Sequence, residues 1–364
     1  MRPSTSIDAS AEAGSKAADA LAAVEPAGYG ALVASTPATV RWLLCGRGRP
    51  VDSASPDAAY IVVLLADRRY VLFQDIEASR VEAEERFEEL GYDRVPFAWH
   101  AGSQATLRAL LDGADAANDR DVEPVLAPLR RQLADPERER YRAAAHDCAE
   151  AMVETLDVLG PELTEREAGA ELALRCRRRG LFPGVLLAAG DERQKLHRHP
   201  LPTDAALGRH ALLAVTAERD GLHVSLTRLV SFGPVPAELD ELVRAAAGVD
   251  AAILAASRPG ATLGDLLEVA AAAYADRGFP EEWRRHHQGG LTGYKGREVF
   301  AVPGEEAPLP ACCAVAWNPS IARGAKSEDT AIVTEDGLEV VTRTPLLREI
   351  EVDGLARPAV VEIR

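Results

Sequence analysis

The sequence predicts an α/β domain followed by an α+β domain whose two halves are related by pseudo-two-fold symmetry. Three observations carry this reading. The chain has 364 residues, long for one compact domain at roughly 100–200 residues each. From Tyr29 to about residue 130, short β-type runs alternate with helical stretches. Beyond that point, a helix with the same start and stop signals occurs twice.

Taken in order, residues 1–27 are rich in Ala, Ser, Asp and Glu, with no large apolar residue before Leu21 apart from Ile7. They read as a flexible N-terminal tail or a loose helix. The α/β domain, 28–133, has β-type runs at Ala31–Ala34, Ala59–Ala66 and Arg69–Gln74 and helical stretches at Ala38–Leu44, Ala78–Leu90 and Gln104–Leu111. A long helix is expected next. Asp135 is a good N-cap, Pro136 suits the first helical position, and Tyr141, Ala144, Cys148, Met152 and Leu156 form one apolar stripe. It links the first domain to the second, 134–350.

The repeat lies in this second domain. Thr164 with Glu167 three residues on makes a capping box, and the helix it opens ends at Gly180 before Phe182-Pro183. Thr262 with Asp265 repeats the acidic pattern, and its helix ends at Gly278 before Phe279-Pro280. The spacing from cap to terminal glycine is sixteen residues in both. β-type segments follow each helix: Val185–Ala189, Ala211–Val215 and His223–Val230 after the first, Val299–Val302, Cys312–Trp317 and Thr330–Val333 after the second. Two helix pairs over a curved, mostly antiparallel sheet would bury both apolar faces and leave a site in the concavity between the halves. Residues 351–364 read as a C-terminal tail.

Composition narrows the partners. The 47% hydrophobic and 27% charged fractions are those of a globular protein. A net charge of −16 argues against nucleic acid, because phosphate would be repelled on average. No apolar run approaches the ~18 residues of a bilayer span, and a cytoplasmic protein without membrane contact is expected. The five cysteines are scattered, with no CxxC pair, and read as reduced, packed thiols rather than a disulfide or zinc framework. Only four of the 41 basic residues are lysine, and three of these (Lys195, Lys295, Lys326) lie near the motifs described next.

Four stretches occur in a telling order: RHPLPTD (Arg198–Asp204), ALLAVTAERDGLHVSLTR (Ala211–Arg228), HHQGGLTGYKGRE (His286–Glu298) and AWNPSIARGAKSEDT (Ala316–Thr330). With the predicted architecture, they resemble the pita-bread superfamily of methionine aminopeptidases, Xaa-Pro aminopeptidases and dipeptidases, and creatinase. The resemblance spans about residues 28–345 and likens the first domain to the small domain of the creatinase and prolidase branch. It places His199 on the catalytic histidine. It also places the five metal-ligand positions on Ala214, Ser225, Gly290, Asn318 and Glu328, so that one anionic ligand of five remains. Ala and Gly offer no donor atom, and two divalent cations need several carboxylates.

The resemblance therefore implies a creatinase-like, metal-independent hydrolase acting on a C–N bond of a small carboxylate-bearing or zwitterionic substrate, with no cofactor. His199 is the expected acid/base, a role suited to a pKa near ~6.5, and Glu328 is its expected catalytic partner. Substrate contacts are expected from His286, His287, Tyr294, Arg297, Glu298, Asn318, Ser225 and Arg228; which of the two histidines faces the pocket stays open. Lysines near the neutralised ligand positions suggest that cationic side chains replace part of the metals' charge, and three solvated loop lysines are the alternative. Two other functions remain: a divergent Xaa-Pro aminopeptidase or dipeptidase using a divalent metal such as manganese or cobalt, and a non-catalytic protein binding a metabolite or partner. By the same resemblance the chain is expected to be a homodimer.

Overall fold

A computed structural model describes residues 6–363. The first five residues of the expected N-terminal tail lie outside them. The chain divides between Glu137 and Arg138 into two compact units.

The first unit contains α1 (Ser6–Val24), β1 (Ala31–Ala34), α2 (Pro37–Leu43), β2 (Ile61–Leu64), β3 (Arg69–Gln74), α3 (Ala78–Arg80), β4 (Asp93–Phe97), α4 (Gln104–Leu111), β5 (Ala116–Asn118) and α5 (Glu123–Arg131). Its mixed sheet runs β4-β3-β2-β1-β5, antiparallel at its centre and parallel at both edges. Two expectations need correction here. Where a flexible tail or a loose helix was expected, α1 is a packed helix: Ala13, Ala17, Ala20 and Val24 are buried along one face. Lys16, also buried, bonds Glu12 and Glu137 at 2.7 Å each. The helix expected over Ala78–Leu90 breaks into a turn of α-helix, a π turn and a 3₁₀ turn, with Arg86 left-handed at φ 48° between the last two. The break turns Glu85 inward, where its carboxylate accepts from the Gly48 N–H at 2.7 Å and the Tyr60 hydroxyl at 3.2 Å.

α6 (Asp135–Leu156) spans the division, and its stripe Tyr141, Ala144, Cys148, Met152 and Leu156 is buried. Then come α7 (Glu165–Arg178), β6 (Phe182–Gly190), α8 (Asp191–Leu196), β7 (His210–Arg219) and β8 (Leu222–Phe232). The second half has α9 (Ala237–Ala256), α10 (Leu263–Asp276), β9 (Gly289–Thr292), β10 (Val299–Phe300), β11 (Cys313–Trp317), β12 (Ser320–Ile321), β13 (Ala325–Lys326), β14 (Asp329–Thr334) and β15 (Gly337–Val340). The repeat is present in atomic detail. Thr164 Oγ1 accepts from the Glu167 N–H at 3.2 Å and Thr262 Oγ1 from the Asp265 N–H at 3.1 Å. Gly180 and Gly278 end the two helices in left-handed backbone, at φ 73° and 84°. Each capping threonine also forms an isolated β-bridge to a later loop, Thr164 with Ala206 and Thr262 with Pro308.

Each half has its own sheet, one including β8-β7-β6 and the other β10-β9-β11-β14-β15. The two meet where the Thr227 N–H donates to the Glu328 carbonyl at 3.1 Å. The expected C-terminal tail is structured instead: β16 (Glu349–Val352) and β17 (Leu355–Pro358) form a hairpin, and β18 (Val361–Ile363) joins β8 in parallel. Arg357 of β17 explains why. It is fully buried and bonds Asp250 of α9 and, at 2.9 Å, Asp329 of β14. All five cysteines are free thiols, and four are buried. No helix among the described residues is long and apolar enough to cross a membrane.

Candidate functional site

Four segments converge on a cavity of about 480 Å³ in the second unit. His199 comes from the loop after α8. Its neighbour Arg198 pins that loop, donating to Ser320 Oγ at 2.9 Å and pairing with Glu282. His286 and His287 precede β9, and the buried Gln288 fixes them by donating to the His286 carbonyl at 2.6 Å and accepting from the Tyr274 hydroxyl at 2.9 Å. Arg297 sits in the β9–β10 hairpin. Asn318, Lys326 and Glu328 come from the segment between β11 and β14.

The polar floor is a charged cluster around Glu328. Its Oε2 accepts from Lys326 Nζ at 2.8 Å and Thr227 Oγ1 at 2.6 Å, while Arg297 reaches Oε1 at 3.4 Å. Burial alone would raise the Glu328 pKa, but the two cations and these hydrogen bonds hold it below the usual carboxylate value. Three imidazoles stand beside it. His199 Nε2 and His286 Nε2 are 3.0 Å apart, so one donates and the other accepts. The His286 and His287 rings stack at 4.4 Å, and Phe300 meets His287 edge-on at 4.9 Å. Burial pushes His286 down to about 2 and His287 to about 4, with Lys326 and Arg297 the main cationic contributors respectively. His199 is lowered in the same direction by partial burial and Lys326. At neutral pH all three rings are therefore uncharged.

Of the residues expected from sequence, His199, His287, Arg297, Asn318 and Glu328 line the cavity. His286 lies behind, bonded to His199, which resolves the open choice in favour of His287 as the lining ring. Ser225 is buried beneath Arg297, sharing a 2.8 Å hydrogen bond with Thr216. Substrate contact by Arg228 is corrected: it is 1% exposed, and its guanidinium is committed to Thr344, Asp329 and the Thr227 and Thr342 carbonyls. Tyr294, 3% exposed, and Glu298 lie outside the lining as well, because the hairpin turns only Gly296, Arg297 and Phe300 towards it. Of the three lysines near the motifs, one lies at the cavity. Lys326 is in the cluster, Lys195 pairs with the exposed Glu192 at 2.7 Å, and Lys295 is not part of the lining. Sequence reading missed the apolar wall of Val185, Leu187, Leu201 and Phe300, and Thr227, which bonds Glu328.

The five positions matched to metal ligands do not fit a two-metal centre. Ala214 has no donor, Ser225 is bonded to Thr216, and Glu328 is already neutralised by cations. Gly290 can carry no side chain: a Cβ there would lie 2.2 Å from the Val299 carbonyl oxygen, in a backbone at φ 149°. Among the described residues, His199, His286 and His287 are the group whose ligand atoms lie close enough to share one ion, within 4.8 Å of one another.

Comparison with known proteins places this geometry in context. The sequence model of metallopeptidase family M24 matches residues 139–335. A dipeptidase, PepE, from Mycobacterium ulcerans has a similar structure, with a TM-score of 0.73 at 21% identity over 97% of this chain and 99% of that one. An Xaa-Pro dipeptidase from Bacillus anthracis gives a TM-score of 0.73 at 16% identity, over 96% and 100% of the two chains. An uncharacterised peptidase from Staphylococcus saprophyticus is 22% identical over 65% of this chain and 69% of its own length.

Proposed function

The chain belongs to metallopeptidase family M24, and from that premise we propose that it is a metal-independent hydrolase of a C–N bond in a small carboxylate-bearing substrate. The observation that carries this reading is the state of Glu328. The one carboxylate remaining at a ligand position is held by Lys326, Thr227 and Arg297, so two cationic side chains supply part of the charge that two metals would bring.

His199 then does the proton work. Its lowered pKa leaves it unprotonated near neutral pH, ready to take a proton from water and return it to the leaving nitrogen. His286, too strongly buried to ionise, orients His199 through their shared hydrogen bond. Arg297 and Lys326 are the lining cations available to the substrate's carboxylate. Asn318 offers its buried Oδ1, unpartnered among the described residues, to an N–H of the substrate.

The test is amide hydrolysis by protein stripped with chelator. Expected are rates indifferent to chelator and to added manganese or cobalt, and a loss of roughly 10²–10⁴-fold in His199→Ala. Activity that appears only with added metal would overturn the reading. One observation favours a second reading, the proximity of the three histidine ligand atoms: a peptidase holding one divalent ion on imidazoles. That version requires metal bound near one equivalent and released in His286→Ala.

A further inference from the structure

The cavity is lined by two unlike sets of residues. Val185, Leu187, Leu201 and Phe300 form one of them, and it leaves apolar surface in water: Leu201 is 70% exposed, Val185 47% and Phe300 43%. A volume of about 480 Å³ is in the range of small-molecule sites. The second set is Arg297, Asn318, Lys326 and Glu328.

Charge in that second set selects the ligand. Glu328 is the one carboxylate among the lining residues, and both its oxygens already face cations. An arriving ammonium therefore meets Arg297 and Lys326 without a free anionic partner. An arriving carboxylate meets the same two cations, and Arg297 has an Nε–H with no partner among the described residues. Asn318, 3% exposed, likewise has an Oδ1 without a donor among them. Both atoms are buried, so a side-chain rotation would turn this acceptor to a neutral amide N–H.

Resting on the hydrolase reading above, we propose that the substrate is an N-acyl amino acid. Its apolar acyl group covers Leu201, Val185 and Phe300, its amide N–H meets Asn318, its carboxylate turns to Arg297 and Lys326, and it has no free ammonium. In hydrolysis the water oxygen bonds to the acyl carbon and the C–N bond breaks. The water proton passes through His199 to the departing nitrogen, giving an aliphatic carboxylate and a free amino acid. No oxidant or further reactant is needed.

The experiment compares two compounds that differ only in the α-ammonium: 4-methylpentanoylglycine and leucylglycine. Binding is measured by calorimetry on the full-length His199→Ala protein, so that turnover does not enter. Turnover is measured separately on the wild type as release of glycine. The acyl compound is expected to bind at least about tenfold tighter, one factor of ten being a 1.4 kcal/mol preference. Lengthening the acyl chain from acetyl should gain roughly three- to fourfold per methylene until the apolar set is covered. Leu201→Ser, at an exposed position, should weaken 4-methylpentanoylglycine more than acetylglycine. Equal or tighter binding of leucylglycine, no chain-length dependence, or no binding of either compound would overturn the substrate class. Tight binding of the acyl compound without release of glycine would uphold the class and remove the hydrolase reading instead.

Discussion

Glu328 and His199 stand in the same cavity with opposite duties, and their surroundings divide those duties. Two cations and a threonine keep the carboxylate ionised well below neutrality, so it holds Lys326 and Arg297 in place and does not exchange protons near pH 7. His199 is the group left to titrate, and it does so in an environment of Lys326, Glu328, Arg297 and the two neighbouring rings. Its pKa is depressed from 6.5 by burial and by Lys326. With the unprotonated ring as the proposed base, activity is expected to rise as pH climbs through this lowered value. The acid limb of kcat/KM is thus expected to be half-maximal below pH 6.5, and Lys326→Met should move that midpoint upward by removing a positive neighbour; a pH–rate profile of both proteins checks it. His199 was legible in the sequence because a histidine stood in a recognisable Pro-containing segment, and Lys326 because lysine is so scarce in this chain. Leu201 and Phe300 were not legible, since an apolar residue on a loop has the same letter whether it faces a ligand or a core. Arg228 misled for a related reason: its motif position is real, but the carboxylate it binds is the protein's own Asp329.

Among the elements, the segment that carries Lys326, Glu328 and Asp329 depends on a hairpin from the end of the chain. Asp329 accepts from Arg228 on one oxygen and Arg357 on the other, and Arg357 also bonds Asp250, which accepts from Ser327 Oγ at 2.6 Å. Ser327 and Asp329 flank Glu328, so this buried network fixes the backbone on both sides of it. Removing Arg357 would leave Asp250 and Asp329 short of a buried cation. Arg357→Ala is accordingly expected to lower stability by about 3–5 kcal/mol, read as a shift in the urea midpoint. Helix caps, the apolar stripe of α6 and the two sixteen-residue repeats were readable in advance because each is local chemistry at fixed spacing. The terminal strands were not. β18 acquires its partner from β8, some 130 residues earlier, and α1 packs through alanines, whose burial no single-residue hydrophobicity announces.

At the scale of the whole molecule, the net charge of −16 sits oddly with a cavity whose floor is cationic. Exposed carboxylates repel one another across the surface, and that repulsion opposes the compact state. Raising potassium chloride from low ionic strength to about 1 M, where the Debye length falls to ~3 Å, is expected to raise the melting temperature. The gain is about 2–4 °C for each kcal/mol of repulsion screened, followed by calorimetry; no rise would mean that the surface charge is already balanced locally. The crowding around Gly290 bears on the molecule's redesign. No side chain can simply be placed at that position, because the neighbouring strand's carbonyl fills the space its first carbon would need. A larger residue there would demand that the β9–β10 hairpin be reshaped first, so the backbone, and not the choice of side chain, sets what this corner of the cavity can be made to hold.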